Sequence, residues 1–308
     1  MNRLMIVWML LTGSFISGCS TAEGEWESGS LEVNGTELYV TQKGDGEPLF
    51  VLHGGPGLSH DYFLPHVEPL SEEFRLILFD QRGMGRSSVE LDSDSFSMQL
   101  LIEDIEALRK ELKLETIHLM GHSWGGIMAM HYAVTYPESL SSLILCNSMP
   151  ATSEFDEVLG SNFAQVYQRQ RMSDLEPLQR RVEEGSRDIT LHERLMQLQF
   201  RPAFYDTADG NRLHLNLQES YFKTQELLPY LQSGEQPAPL YPRLRDLQLP
   251  VLILRGEMEA IPVEADLWLL ETLTNASLVS IDRTGHFPFI EQPEEFMEIV
   301  AGFLNGIR

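Results

Sequence analysis

The 308-residue sequence contains little cysteine, few basic residues and no internal repeat. Its two cysteines and nine histidines form no group with metal-ligand spacing, and they give no sign of a disulfide framework. Basic residues number 22 against 46 acidic ones, and the net charge of −24 repels nucleic acid and anionic lipid head groups. These absences exclude a solenoid, a disordered chain and a nucleic-acid-binding protein, and the remaining composition is that of an ordinary globular domain.

The sequence also has no hydrophobic run long enough for a convincing transmembrane span, but its N-terminus is typical of an export signal. An apolar stretch at 4–11 precedes Ile16-Ser17-Gly18-Cys19, which resembles the lipobox of bacterial lipoproteins. We predict a signal peptide at 1–18, a lipid on Cys19 and a tether at 19–30. The protein would then be exported and anchored on the periplasmic or extracellular side of a bacterial membrane. A plain cleaved signal and an uncleaved anchor are the alternatives.

Short apolar runs alternate with helical patterns along most of the chain. Asn34-Gly35 between two extended runs predicts an opening hairpin. Continuous runs such as 49–52 and 251–254 suit strands that are buried on both faces, and apolar spacings of three and four, as in 102–112, indicate helices between them. This order predicts an α/β fold with a mostly parallel twisted sheet and helices on both faces.

The alternation stops in the middle of the chain. Between residues 150 and 245 the apolar residues take helical spacing, and no strand-like run occurs. We therefore predict that 31–149 and 246–308 form the core and that 150–245 form an inserted helical cap. Because ligands of open α/β sheets bind beyond the carboxyl ends of the strands, such a cap would lie over the binding site.

Ser123 is the first candidate catalytic residue. The chain reads Gly121-His122-Ser123-Trp124-Gly125 between a predicted strand and a predicted helix, which is the G-x-S-x-G pattern in its required setting. A serine hydroxyl is a weak nucleophile unless a base takes its proton. His286 follows the last strand-like run, which is the position of the base in this arrangement.

A third residue must orient the histidine, and Glu257 and Glu259 compete for this role after the run 251–254. We favour Glu259, which lies three residues beyond Gly256, the usual distance for the acid. The backbone N–H groups of Gly55 and Trp124 are the candidates for the oxyanion hole. These groups suffice for acyl transfer, so we predict neither a metal nor an organic cofactor.

Taken together, the motifs resemble those of the proline iminopeptidase branch of the α/β hydrolases. The resemblance rests on His53–Gly57, on Asp80–Ser87, on the Ser123 turn and on Gly285-His286, and it extends from about residue 31 to residue 304. It implies the α/β-hydrolase fold, an acyl-enzyme on Ser123 and release of an N-terminal residue, often proline, from short peptides.

The resemblance also implies cap acids that bind the free amine of the substrate. The candidates are Glu154, Glu219 and Glu226. Cap aromatics could line an acyl pocket or simply pack against the core; these are Tyr167, Phe200, Phe204, Tyr205, Tyr221 and Phe222.

Two residues depart from the iminopeptidase pattern. His122 stands where that branch more often has a small residue, and Glu259 replaces the usual aspartate. A carboxylesterase or lactonase acting on small acyl compounds is therefore the alternative function, and a catalytically silent binding lipoprotein is a distant third. In either enzymatic case the partner is a small-molecule or short-peptide substrate.

Overall fold

The computed structural model describes residues 24–88, 92–168, 172–233, 237 and 239–307. The fold opens with two antiparallel strands, β1 (Glu27–Val33) and β2 (Thr36–Lys43). Asn34 and Gly35 connect them with φ values of 47° and 71°, the left-handed conformation that a tight hairpin turn needs. The predicted hairpin is therefore confirmed.

Strand β1 begins inside the segment predicted as a tether, so the boundary at residue 30 is wrong. Backbone pairing runs from Glu27 opposite Gln42 to the end of the hairpin, and the Ser28 and Thr41 hydroxyls lie 2.8 Å apart. Polar side chains on a sheet edge do not prevent pairing, because the ladder is made by the backbone. A tether would have to end before Glu27, and Cys19 and the signal segment lie outside the described residues.

The other strands of the described residues are β3 (Glu47–Leu52), β4 (Phe74–Phe79), β5 (Ile117–His122), β6 (Leu140–Cys146), β7 (Val251–Gly256) and β8 (Ala276–Ile281). Together with β1 and β2 they form one sheet in the order β1-β2-β4-β3-β5-β6-β7-β8. From β4 to β8 all neighbours are parallel, whereas β1, β2 and β4 pair antiparallel. The predicted mostly parallel sheet is confirmed, and its parallel strands end at a common edge.

Helices cover both faces of this sheet. They are α1 (Met98–Glu111), α2 (Trp124–Thr135), α3 (Asp156–Tyr167), α4 (Met172–Glu183), α5 (Ile189–Phe200), α6 (Ser220–Ser233), α7 (Val263–Thr272), α8 (Pro288–Glu291) and α9 (Pro293–Asn305). Along β3 the side chains alternate. Phe50 joins one buried cluster with α1, α2 and α7, whereas Val51 joins the other with α9. Both faces of the strand are thus buried, which explains its unbroken apolar run.

Helices α3 to α6 lie between β6 and β7, the segment in which we predicted the cap. No strand occurs among the described residues of this stretch. The ranges that the structure describes include no helix long and apolar enough to cross a membrane.

Candidate active site

Ser123 lies on the sharp turn between β5 and α2 and adopts φ 55° and ψ −118°. A positive φ is strained for a residue with a side chain, and it persists only where the surroundings hold it. Here the Ser123 N–H donates to the carbonyl of buried Cys146 at 3.1 Å. Its own carbonyl accepts from the N–H groups of Gly126 and Met149 at 3.0 and 3.1 Å. The backbone is therefore fixed, and the side chain keeps partial exposure.

Two glycines allow strand and helix to approach closely at this turn. A Cβ on Gly121 would lie 2.3 Å from the Gly125 carbonyl oxygen, and a Cβ on Gly125 would lie 2.4 Å from the Leu52 carbonyl oxygen. Any side chain at either position would force the backbone apart. The glycines of the G-x-S-x-G motif are thus required by packing, and they place Ser123 at the N-terminus of α2, where partial positive charge favours an anion.

His286 and Glu259 meet at the same edge of the sheet. Glu259 follows β7 and His286 follows β8, and the Nδ1 of His286 lies 2.7 Å from the Oε2 of Glu259. Both residues are 8% exposed, so the pair is shielded from water but not sealed. Glu257 is exposed and accepts instead from the Arg283 N–H at 2.8 Å. Of the two competing glutamates, the structure therefore brings Glu259 to the histidine.

The surroundings of Glu259 keep its carboxylate charged. Burial opposes ionisation, but three interactions outweigh it: the attraction of a positive charge on His286 when its ring is protonated, the hydrogen bond to that ring, and the N–H of Ile261, which donates to Oε1 at 3.0 Å. Together with Arg255 they hold the pKa of Glu259 below its usual range. An ionised carboxylate can only accept at Nδ1, so it fixes His286 with Nδ1 protonated and Nε2 free to take a proton.

The candidate oxyanion loop follows β3 and passes directly beside the serine. A Cβ on Gly54 would lie 3.0 Å from the Cβ of Ser123. The Gly55 N–H belongs to the next peptide of this loop. On the other side of the serine, Trp124 is the first residue of α2, so its N–H has no partner within its own helix. The two predicted oxyanion donors thus belong to the segments that flank Ser123.

His53 orients the peptide that carries the Gly55 N–H. Its Nδ1 lies 2.8 Å from the Gly54 carbonyl oxygen, and its Nε2 accepts from the Gln81 N–H at 3.1 Å. Burial lowers the pKa of His53 to about 4, so the ring is neutral and Nδ1 is the donor. Gln81 belongs to the loop 80–87, which therefore supports the candidate oxyanion loop.

The segment after α5 is docked on the His286 loop. The Ala203 carbonyl accepts from the His286 N–H at 2.8 Å, and the ring of Phe204 stacks on Phe287 with centroids 4.8 Å apart. The two side-chain oxygens of Glu291 accept from the N–H of Tyr205 at 2.6 Å and from that of Gly285 at 2.7 Å. This part of the candidate cap thus helps to hold the predicted base in place.

None of the three predicted amine-binding acids is buried in a pocket. Glu154, Glu219 and Glu226 are exposed, and Glu226 pairs with Lys223 at 3.4 Å. Glu219 lines a groove of about 560 Å³, and Ser123 is not among the residues that line it.

Of the cap aromatics, Phe200, Phe204 and Phe222 pack against other side chains. Phe204 is fully buried, Phe200 meets Phe287 edge-on at 5.6 Å, and Phe222 lies beneath the Arg187 guanidinium at 4.5 Å. Tyr221 contacts the Phe222 ring at 5.6 Å, whereas Tyr167 and Tyr205 are exposed.

Sequence reasoning missed Tyr62 and Glu291 and treated His122 only as a departure. Tyr62 lies in the short 3₁₀ turn His60–Phe63, yet its hydroxyl lies 2.8 Å from His122, 60 residues away in sequence. No local motif marks either residue, because their partners meet only in the folded chain. The described residues contain no group of three or more His, Cys, Asp or Glu that could hold a metal ion.

Comparison with known proteins agrees with this architecture. The proline iminopeptidase of Heyndrickxia coagulans is 24% identical over 293 residues, covering 92% of this chain and 100% of the relative. That of Clostridium botulinum is 28% identical over 269 residues, covering 85% and 91%. The crystal structure of the proline iminopeptidase from Mycobacterium smegmatis aligns with a TM-score of 0.66 and 25% identity over 91% of this chain and 98% of the other. Residues 47–293 match the alpha/beta hydrolase fold family, and the chain therefore belongs to that family.

Proposed function

We propose that the protein is a serine hydrolase that forms an acyl-enzyme. His286 Nε2 takes the proton of Ser123 as the hydroxyl attacks the substrate carbonyl, and Glu259 stabilises the resulting imidazolium. The N–H groups of Gly55 and Trp124 bind the oxyanion. His286 then gives the proton to the leaving group, and a water molecule activated by the same residue releases the acyl group. The observation that carries the proposal is the 2.7 Å contact between His286 and Glu259 at the sheet edge where Ser123 is held with positive φ.

For the substrate, we propose a short peptide with a free N-terminus, from which the enzyme releases the N-terminal residue in the manner of a proline iminopeptidase. Support comes from relatives of that name that cover 85–92% of this chain, and from the loop motifs around His53 and Asp80. Fold alone does not fix a substrate, so this step rests on those relatives.

A carboxylesterase or lactonase acting on small acyl compounds is the second candidate. His122 before the nucleophile favours it, and so does the exposure of Glu154, Glu219 and Glu226, which leaves the substrate amine without an assigned acidic partner. A silent binding lipoprotein is disfavoured, because binding alone would not require a strained serine at the same sheet edge as an oriented histidine.

The deciding experiment compares three compounds with the purified protein: prolyl-naphthylamide, its N-acetylated form and nitrophenyl acetate. A strong preference for the free-amine compound, lost in Ser123→Ala, is the expected result. Turnover of the ester with an inert prolyl compound would establish the esterase candidate. Equal turnover of the free and acetylated prolyl compounds would reject amine recognition.

We also propose that Cys19 carries a lipid that anchors the protein outside the cytoplasm. Cys146 is 1% exposed within β6, so Cys19 is the cysteine available for modification. An alkyne-tagged fatty acid should label the wild type and Cys146→Ala but not Cys19→Ala, which should also leave the membrane fraction. Equal labelling of Cys19→Ala would contradict the proposal.

A further inference from the structure

We propose that Tyr62 and His122 form a positioning link that joins the oxyanion loop to the loop of the catalytic base. The inference rests on the proposed serine-hydrolase mechanism. The Gly54 N–H donates to the Tyr62 hydroxyl oxygen at 2.5 Å, and that hydroxyl lies 2.8 Å from Nδ1 of His122. Nε2 of His122 lies 2.8 Å from the carbonyl oxygen of His286. This series of hydrogen bonds thus connects the loop after β3, the 3₁₀ turn that carries Tyr62, the end of β5 and the loop after β8.

The donor and acceptor of each hydrogen bond in this series follow from the groups at its two ends, the His286 carbonyl and the Gly54 N–H. The His286 carbonyl can only accept, so Nε2 of His122 carries a proton. Burial, with the nearby charge of His286, holds the pKa of His122 well below its usual range, so the ring is neutral and Nδ1 is bare. Nδ1 therefore accepts from the Tyr62 O–H, whose oxygen remains free to accept from Gly54. Both nitrogens of His122 are engaged, so it does not compete with His286 as a base.

The link acts where small displacements matter most for the proposed chemistry. A Cβ on Gly54 would lie 3.0 Å from the Ser123 Cβ and 3.2 Å from the Tyr62 hydroxyl, so the loop is held between nucleophile and tyrosine. The next peptide carries the Gly55 N–H, which must point at the oxyanion. At the other end of the link, the His286 residue is held by its carbonyl, and the His122 and His286 rings lie 4.7 Å apart.

The link is also shielded from water. Tyr62 is 1% and His122 is 2% exposed, and Phe287 and Phe289 pack against both rings. Water cannot replace a lost hydrogen bond at such a site, and linked hydrogen bonds reinforce one another in a low-dielectric interior. Removing the Tyr62 hydroxyl should therefore loosen the loops of Gly54 and His286, because no water molecule can take the place of the hydroxyl.

The first test removes the Tyr62 hydroxyl alone. We expect Tyr62→Phe to lower kcat by about tenfold, a fraction of the effect of losing an oxyanion donor, and to leave KM within about twofold. Turnover is measured with whichever compound the wild type hydrolyses. The rate of Ser123 labelling by a fluorophosphonate should fall in parallel. Titration of active sites with the same probe normalises kcat to folded molecules, so partial unfolding cannot imitate the effect.

The matched control is Tyr132→Phe. That residue is equally buried, and its hydroxyl donates to Glu106 at 2.8 Å, between α2 and α1. Its loss should lower the unfolding temperature and leave kcat unchanged. A kcat loss of the same size in the control would mean that Tyr62 acts only through general stability.

A second variant keeps the proposal open to refutation if Tyr62→Phe folds poorly. His122→Ala breaks the same link from its other member and should give the same fall in kcat at constant KM. Because both substitutions break the same series of hydrogen bonds, the kcat of the double variant should be little lower than that of either single variant. Full kcat in either folded single variant, or additive losses, would overturn the link. A wild type that fails to react with the fluorophosphonate would overturn the proposed function itself, and the link with it.

Discussion

Replacing Glu259 by glutamine should remove nearly all turnover while leaving the fold intact. The Ile261 N–H donates to Oε1 of Glu259, and a backbone N–H cannot accept. In the variant, the amide oxygen must therefore stay at Ile261, and the NH₂ group must face Nδ1 of His286. Nδ1 then becomes the acceptor, so the proton moves to Nε2. His286 can no longer take the proton of Ser123.

The size of the effect follows from that change of tautomer. A neutral amide in place of the acid of such a triad costs about 10³- to 10⁴-fold in kcat, or about 4–5.5 kcal/mol in transition-state stabilisation. Ground-state binding makes no use of the tautomer, so KM should change little. The Ile261 contact survives and the side-chain volume is conserved, so circular dichroism and the unfolding temperature should stay close to those of the wild type.

The assay is the kcat for whichever compound the wild type hydrolyses, together with the rate of fluorophosphonate labelling. Glu257→Gln is the matched control, because that glutamate is exposed two residues away and should tolerate the change. A Glu259→Gln enzyme within tenfold of the wild type would refute the tautomer argument. Loss of activity in Glu257→Gln instead would move the acid to the other glutamate.

Two further predictions concern stability. Burial, with a contribution from Asp209, raises the pKa of Glu291 to about 7, so from about pH 5 to 7 the native state holds a proton that the unfolded state has lost. The free energy of unfolding should therefore fall by about 2–3 kcal/mol as pH rises through this window. Urea titrations of Glu291→Gln should show a weaker pH dependence. An unchanged pH dependence in this variant would contradict the raised pKa of Glu291. Gly125→Ala should cost about 3 kcal/mol, the upper end of the usual cost of overpacking, because its Cβ would lie 2.4 Å from a carbonyl oxygen. Gly160→Ala in α3, with open space around it, should stabilise by about 0.5–1 kcal/mol, and equal effects of the two changes would refute the packing argument.

Much of the fold was predictable from the sequence because its signals are local. Continuous apolar runs mark strands buried on both faces, and Asn34-Gly35 marks a hairpin by the φ values that these residues tolerate. The start of β1 was not predictable in this way. The sequence of residues 27–30 has no apolar pattern and is typical of a tether. These residues nevertheless pair with β2, because the pairing is made by backbone groups and does not depend on the side chains.

In the candidate site, too, the residues that lie in local motifs were predictable, and those that depend on contacts in the folded chain were not. Ser123 was predictable because it lies in the G-x-S-x-G turn, and His286 because it follows the last strand. Glu259 was favoured over Glu257 by its distance from Gly256. Tyr62 could not be found, because its role depends on a contact with His122 that exists only after β3 and β5 pair. Amine recognition could not be assigned either, since a glutamate on a helix looks the same in sequence whether it faces a pocket or solvent.

Fluorophosphonate labelling followed by peptide mass spectrometry tests the central claim most directly. The wild-type protein should gain one adduct, located on the peptide that contains Ser123, and Ser123→Ala should gain none. Glu259→Gln should acquire the same adduct far more slowly. An unlabelled wild type, or an adduct that persists in Ser123→Ala, would contradict the assignment of Ser123 as the nucleophile.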